Sequence, residues 1–418
     1  MVAPRHSRVR RPLVLTLVAL VALAGVLVGL ALYATHRSAS TSQPGSTQPG
    51  SFSGPAVTGA PWHRPSPSAS PPYRLPSDTT TDVTRLPAGR TAAPSGVVAL
   101  PPAIGFGQDT TGGAGGRVYH VTSAADSFRD VAPGTLRYGL TRAEPLWIVF
   151  DRDMTVHFSA AINVAPDKTI DGRGHSILFT GHGVPGLHLY DTHNVIVENI
   201  TFRDFGDVAL TKKNDKPDEI DIRRSSDIVI DHCTMSVAGD KLISVEDGAV
   251  GVTISWNHFF DQEQTLQIGA ISTAPNDVTS TITIHHNFFD RDGYRLPLVA
   301  YGKVHVFNNY MFEWKTSAVR SEELGQIYLE RNVLQAAASP IGAVLIPAAK
   351  CGDSGVYCDA RAGYLYSVDN TVIGNAFIRD SGPDHVFDPS AAYSYTAAPA
   401  DQSLIAAVRA GAGAAPHR

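Results

Sequence analysis

VTISWNHFFDQEQTLQIGAISTAPNDVTSTITIHHNFFDRDGYRLPLVAYGKVHVFNNYMF, Val252 to Phe312, states one phrase three times: TISWNHFF, TITIHHNFF and VHVFNNYMF. Each is a β-branched run leading to an Asn and then to aromatic residues. Looser versions occur at VIVENITF, VIDHCTM, IYLERNVL and TVIGNAF. Aligned on an apolar residue three places ahead, the common position holds Asn199, Cys233, Asn257, Asn287, Asn309, Asn332 and Asn375. The spacings are 34, 24, 30, 22, 23 and 43 residues, a short base period with insertions, which marks a solenoid. Units this short and β-branched cannot be helical repeats. Strands of four to six residues joined by polar corners describe one coil of a parallel β-helix.

The recurring Asn has a physical reason. At a tight corner Asn tolerates a left-handed backbone, and stacked coil on coil its amide bonds its neighbours. Phe259, Phe288 and Tyr310 beside it are expected to stack in the core. Insertions in a solenoid become loops on one face. The long steps before Cys233 and after Asn257 place loops beside one sheet, where a groove can form.

Outward from the repeats the composition changes. Arg5, Arg8, Arg10 and Arg11 precede an uncharged apolar run of 22 residues, Leu13 to Ala34. Its length favours a retained membrane anchor over a cleavable signal peptide, and either one exports the remainder of the chain. From Ser38 to Pro72, 24 of 35 residues are Ser, Thr, Gly or Pro, a composition that buries too little to fold. The expected organisation is therefore an anchor or signal over 1–37, a disordered linker over 38–94, the β-helix over 95–387 and a loose tail over 388–418. Across the 418 residues only 17% are charged and the net charge is −5, with 37 Gly and 28 Pro. That excludes a nucleic-acid partner. An acidic polymer could bind only through a few placed cations or a bridging metal. In an exported domain Cys351 and Cys358 are expected to pair, and Cys233 to be an inert core thiol.

From Ile104 to about Asn332 the chain resembles the extracellular pectate lyase and pectin lyase family. The phrases that carry the resemblance are TTGGAGG (Thr110–Gly116), PGTLRYGL (Pro133–Leu140), TIDGRG (Thr169–Gly174), VIDHC (Val229–Cys233), VTISWNHFFD (Val252–Asp261), ITIHHNFFDRDGYRLP (Ile282–Pro297) and GKVHVFNNY (Gly302–Tyr310). The resemblance implies a right-handed parallel β-helix, all-β in class, acting as a monomer on acidic plant polysaccharide, pectate or pectin. It implies cleavage by β-elimination, with calcium bridging aspartates and the substrate carboxylate and an arginine removing the adjacent proton. Arginine is an awkward base, since a guanidinium holds its proton to above about 12.

Carried over by residue, the resemblance puts metal-binding aspartates at Asp218 and Asp240 and the catalytic arginine at Arg295, followed by Pro297. Three other positions of the pattern hold Ser244, Gln264 and Ala300 in place of a carboxylate, a lysine and an arginine. Lys216 and Lys241 adjoin the two aspartates, and as substrate-binding residues their ammonium groups could stand where calcium would. They could equally be solvated loop charges. Asp231 and His232 read either as a proton relay or as a buried hydrogen-bonded pair. His285 and His286 alternate along a strand, so at most one faces the groove, and the Gly-His-Gly around His182 lacks the clustered aspartates a hydrolase needs. The expected function is a lyase on galacturonate polymers, with calcium weakened by Ser244. The alternative is a lyase-like β-helix that only holds polysaccharide at the outer cell surface.

Overall fold

A computed structural model describes residues 93–206, 217–270, 273–337 and 362–415. The apolar N-terminal run, the spacer up to residue 92, Lys216 and the Cys351–Cys358 loop lie outside the described residues. The described strands form three sheets of ten, seven and nine strands, and every strand pairing within them is parallel. One coil runs Ser226–Asp231, Thr234–Ser236 and Lys241–Glu246, and Val250–Ser255 then opens the next on top of the first. This is the expected parallel β-helix.

Its interior is a set of aliphatic ladders. Val195, Ile228, Val252, Ile282, Val304, Ile327 and Leu365 pair in register through seven coils, all fully buried. β-Branched side chains alternate inward on each strand, and a parallel stack lays like on like. Cys233 sits in this core as a buried free thiol, and burial raises it well above an ordinary cysteine.

The Asn ladder forms, with two adjustments. Asn257, Asn287, Asn309 and Asn332 each donate from Nδ2 to a strand carbonyl below, Ile230, Ile254, Ile284 and Val306, at 2.9–3.0 Å. The next rung is Asn370, not Asn375: Asn370 Oδ1 accepts from Asn332 N at 2.8 Å. At the other end Glu198 pairs with Asp231, so Asn199 stands level with His232 and Ile200 level with Cys233. The left-handed residue is the one before each rung, at His232, Trp256, His286, Asn308, Arg331 and Asp369, with φ between 47° and 55°. The corner is thus shared between two residues, one turning the chain and one bonding the coils.

The aromatic stacks divide. Phe259 and Phe289 meet inside the coil at 5.1 Å between ring centroids. Phe288 and Tyr310 stack at 5.2 Å on the outside of the nine-stranded sheet. There they form a second core with Leu404, Ile405 and Val408 of the helix Gln402–Gly411. Residues 388–415 are therefore packed rather than a loose tail. Apolar positions at helical spacing in this Ala-rich stretch cover the stack, and Asp401 caps the helix by accepting from Ser403 N and Leu404 N.

The segment TTGGAGG lies on the outer face of the ten-stranded sheet. Gly113 N donates to Thr169 Oγ1 at 2.9 Å, and Gly112 N donates to Asn194 Oδ1 at 2.7 Å. A Cβ on Gly113 would lie 1.9 Å from the Leu146 carbonyl oxygen, so the two backbones must separate. Gly113→Ala is expected to lose about 1–3 kcal/mol of stability by overpacking, read as a lower denaturation midpoint. An unchanged midpoint would mean that this close approach does not hold the cover to the sheet.

Candidate active site

The seven-stranded sheet carries the residues singled out by the resemblance. Its strands in chain order are β1 Ile162–Asn163, β2 Leu187–Tyr190, β3 Ile220–Arg223, β4 Lys241–Glu246, β5 Gln264–Ile268, β6 Leu298–Val299 and β7 Arg320–Ser321. Within the described residues, 217–219 lead into β3 and 269–270 leave β5. Ile220, Ile243 and Leu266 point into the core. Alternation then turns one row outward, His188, Asp221, Ser244, Gln267, Leu298 and Arg320, and a second row, Tyr190, Arg223 and Glu246, beside it.

Asp218, Asp240 and Lys241 come together at the entry to β4. The Lys241 ammonium is 2.7 Å from Asp240 Oδ2 and 3.6 Å from Asp218 Oδ2, with its side chain only 13% exposed. Lys241 N donates to Asp218 Oδ1 at 2.9 Å, and Gln264 Nε2 donates to Asp240 Oδ1 at 2.9 Å. Lys241 is therefore a held charge and not a solvated one. Burial alone would lower its pKa, but Asp218 and Asp240 outweigh that and hold it above the ordinary lysine value. Burial raises Asp218, with Lys241 opposing.

Ser244 stands where the resemblance expects a carboxylate, and its Oγ lies 2.8 Å from Asp218 Oδ2 and 2.9 Å from Asp221 Oδ1. The carboxylate has in effect moved to the neighbouring strand, since Asp221 pairs with Ser244 across β3 and β4. Asp221 also accepts from the Tyr190 hydroxyl and from Arg223 Nε at 2.9 Å, while Arg223 reaches Glu246 at 3.5 Å. Sequence reasoning passed over Tyr190, Asp221, Arg223 and Glu246. The alternation in Glu219-Ile-Asp-Ile-Arg223 was visible, but which strand it would face was not.

Arg295 occupies a bulge. Tyr294 pairs with Gln264 and Leu298 with Gln267, which leaves one extra residue on the Arg295 side, and Arg295 has φ +65°. Bulges re-aim side chains at the edges of sites. The guanidinium donates to Gln267 Oε1 and lies 5.5 Å from the centre of the Tyr294 ring. Two strand spacings separate it from the Lys241 strand, about 10 Å. Beyond it Arg320 pairs with Glu322 at 2.7 Å, and Glu322 is raised by burial against the pull of Arg320 and Arg295. The sheet thus presents cations at Lys241, Arg223, Arg295 and Arg320, each with an acid or amide partner. His285 and His286 lie on the ten-stranded side, so neither belongs to this sheet.

The calcium that the resemblance implies makes its own demands on the donor set. Calcium takes six to eight oxygens. Asp218 and Asp240 already spend oxygens on Lys241, Ser244 and Gln264. The Lys241 ammonium fills the space between the two aspartates, so calcium would have to displace it. The residues as they stand do not fit calcium.

Residues 97–415 match the family model described as pectate lyase. Among similar proteins, pectate lyase 1 of Hesperocyparis arizonica is 36% identical over 242 residues, 55% of this chain and 66% of that protein. Putative pectate lyase 21 of Arabidopsis thaliana is 36% identical over 238 residues, 55% of this chain and 60% of that protein. The chain spans slightly under two thirds of these relatives' own length. The crystal structure of jun a 1, the major allergen from cedar pollen, superposes with a TM-score of 0.65 at 29% identity, covering 75% of this chain and 93% of that one. A pectate lyase from a Bacillus species in complex with trigalacturonate shares the fold, with a TM-score of 0.56 at 22% identity over 74% of this chain and 98% of that one. With a parallel β-helix and a family match over residues 97–415, the chain belongs to the pectate lyase family.

Proposed function

We propose that this chain cleaves galacturonate-containing polymers, pectate or pectin, by β-elimination, with Arg295 as the base and Lys241 as the resident cation of the groove. The observation that carries the proposal is the pairing of a re-aimed Arg295 with an ammonium fixed between Asp218 and Asp240. The family and the trigalacturonate bound by one structural relative support the substrate class. Lys241 would attract the uronate carboxylate and draw electron density from the adjacent carbon. Arg295 would take that carbon's proton, and the glycosidic oxygen would leave from the next carbon with its electron pair, leaving a double bond. Asp218 and Asp240 orient the lysine in this reading, and Lys216, beside Asp218 in sequence, is a further cation for the polymer. The substrate class supports work outside the cell, and the apolar run Leu13 to Ala34, read as a signal or anchor, would export the chain that follows it. Among the described residues no helix is long and apolar enough to cross a membrane.

The test is ultraviolet absorbance of the full-length protein on polygalacturonate and on methylated pectin, each with added calcium and with chelator. The expected result is a rising trace that chelator leaves within about twofold. Loss of the signal with chelator would overturn the role given to Lys241. The alternative reading, polysaccharide binding without cleavage, would rest on Ser244, Gln264 and Ala300, each in place of a group that the family pattern devotes to substrate or metal. A flat trace on both polymers, with binding retained, would select it.

A further inference from the structure

On the outer face of the ten-stranded sheet, away from the groove strands, neighbouring coils place Asp171, Glu198 and Asp231 in one register. Three carboxyl groups one strand spacing apart repel unless each finds a counter-charge. Asp171 has its own, accepting from Arg173 Nε at 2.9 Å and from Trp147 Nε1 at 3.0 Å. Asp231 accepts from Ser255 Oγ at 2.6 Å, and its Oδ2 lies 2.8 Å from His232 Nδ1. Glu198 is the odd member. It is 4% exposed, with the His232 imidazole 3.8 Å away and Arg173 as the more distant counter-charge.

These groups open on a cavity of about 270 Å³ under the segment Leu100–Ile104, between Trp147 and Trp256. One ligand atom each from Glu198, Asp231 and His232 lies within 4.8 Å of the others. The His232 ring is held parallel to Trp256, 5.7 Å away, so its orientation is set. A fourth group shares the cavity: His285 is 3% exposed, and its Nε2 has no hydrogen bond of normal geometry, the Ile104 carbonyl being the neighbour on that side. A buried imidazole nitrogen without a good partner beside two carboxylates and a second imidazole is an incomplete polar site.

We propose that Glu198, Asp231 and His232 bind a first-row divalent transition metal, zinc by ligand type, in this cavity, which His285 also lines. Two carboxylate oxygens and an imidazole suit zinc or manganese better than calcium, which takes oxygen alone. Ser255 on Asp231 and Trp256 on His232 supply the outer contacts that fix ligand orientation. A divalent ion would also offset the repulsion between Glu198 and Asp231. Burial and Asp231 together push Glu198 well above the ordinary carboxylate range.

The proposal is independent of the groove and is tested without an activity readout. The full-length protein, untagged and stripped with chelator, is titrated with zinc chloride by calorimetry, and with cobalt(II) for its visible absorption. One equivalent is expected to bind, with cobalt d–d bands more intense than those of the aquo ion. Glu198→Gln keeps the shape and can still donate to Asp231, so it should fold. Glu198→Gln and His232→Asn are each expected to weaken zinc binding at least tenfold, and His232→Asn to remove the cobalt bands, while Arg295→Ala changes neither. No binding by the unmodified protein, or affinity in both site variants as high as in the unmodified protein, would overturn the proposal.

Discussion

Arg295→Ala is expected to lower the rate of unsaturated product formation by about 10²–10⁴-fold, the range that a positioned proton-transfer group contributes. The expectation rests on placement. Arg295 lies in the bulged segment between Tyr294 and Leu298 with φ +65°, its guanidinium is oriented by Gln267, and it borders the row that holds Ser244. Alanine at φ +65° has the same backbone preference against it as arginine, so the fold should tolerate the change. Arg295→Lys should remain strongly impaired, because an ammonium lacks the planar fork that lies beside Tyr294 and reaches Gln267. Initial rates by ultraviolet absorbance, with far-ultraviolet circular dichroism as a check on folding, decide the matter. Activity of Arg295→Ala within tenfold of the unmodified protein would remove Arg295 from the role of base.

Asn287→Ala is expected to cost about 3–5 kcal/mol of stability, the largest loss foreseen for any single outer contact of the coil. Asn287 Nδ2 donates to Ile254 O at 2.9 Å and to Asn309 Oδ1 at 2.9 Å, and its Oδ1 accepts from Asn257 N and Nδ2 at 2.9 and 3.0 Å. All of these groups are buried, so alanine leaves several of them without partners, at about 1–3 kcal/mol each. The ladder also offsets the left-handed residue ahead of every rung, here His286 at φ 55°. Asn276→Ala is the control: that side chain is exposed and bonds one surface carboxylate, Asp247, so a loss below about 1 kcal/mol is expected. Denaturant titration of both variants compares them directly. Equal small losses would mean that the coil is held by its aliphatic ladders alone.

The repeat phrases made the architecture legible because a solenoid restates its local rule in every coil. The alternation of apolar residues, the corner Asn and the short period are set by residues close in sequence, and parallel stacking only copies them. Asn375 illustrates the limit. Its phrase looks like the others, yet Asn370 makes the hydrogen bond, because a rung is defined by the carbonyl beneath it and not by its own neighbours. The C-terminal stretch shows the same limit in another form. Alone it is Ala-rich and unremarkable, but stacked Phe288 and Tyr310 offer an apolar surface for Leu404, Ile405 and Val408.

Local sequence was enough for the β-helix, the interior faces of its strands, the family and the positions of Asp218, Asp240 and Arg295. It could not tell what those positions touch, which came from the folded coils alone. The ammonium of Lys241 between two aspartates, Asp221 opposite Ser244, and Glu198 beneath Asp231 all join residues on neighbouring coils or corners. Contacts between coils depend on register, and register depends on how much chain each corner consumes. Insertions change that length without altering the phrase that repeats.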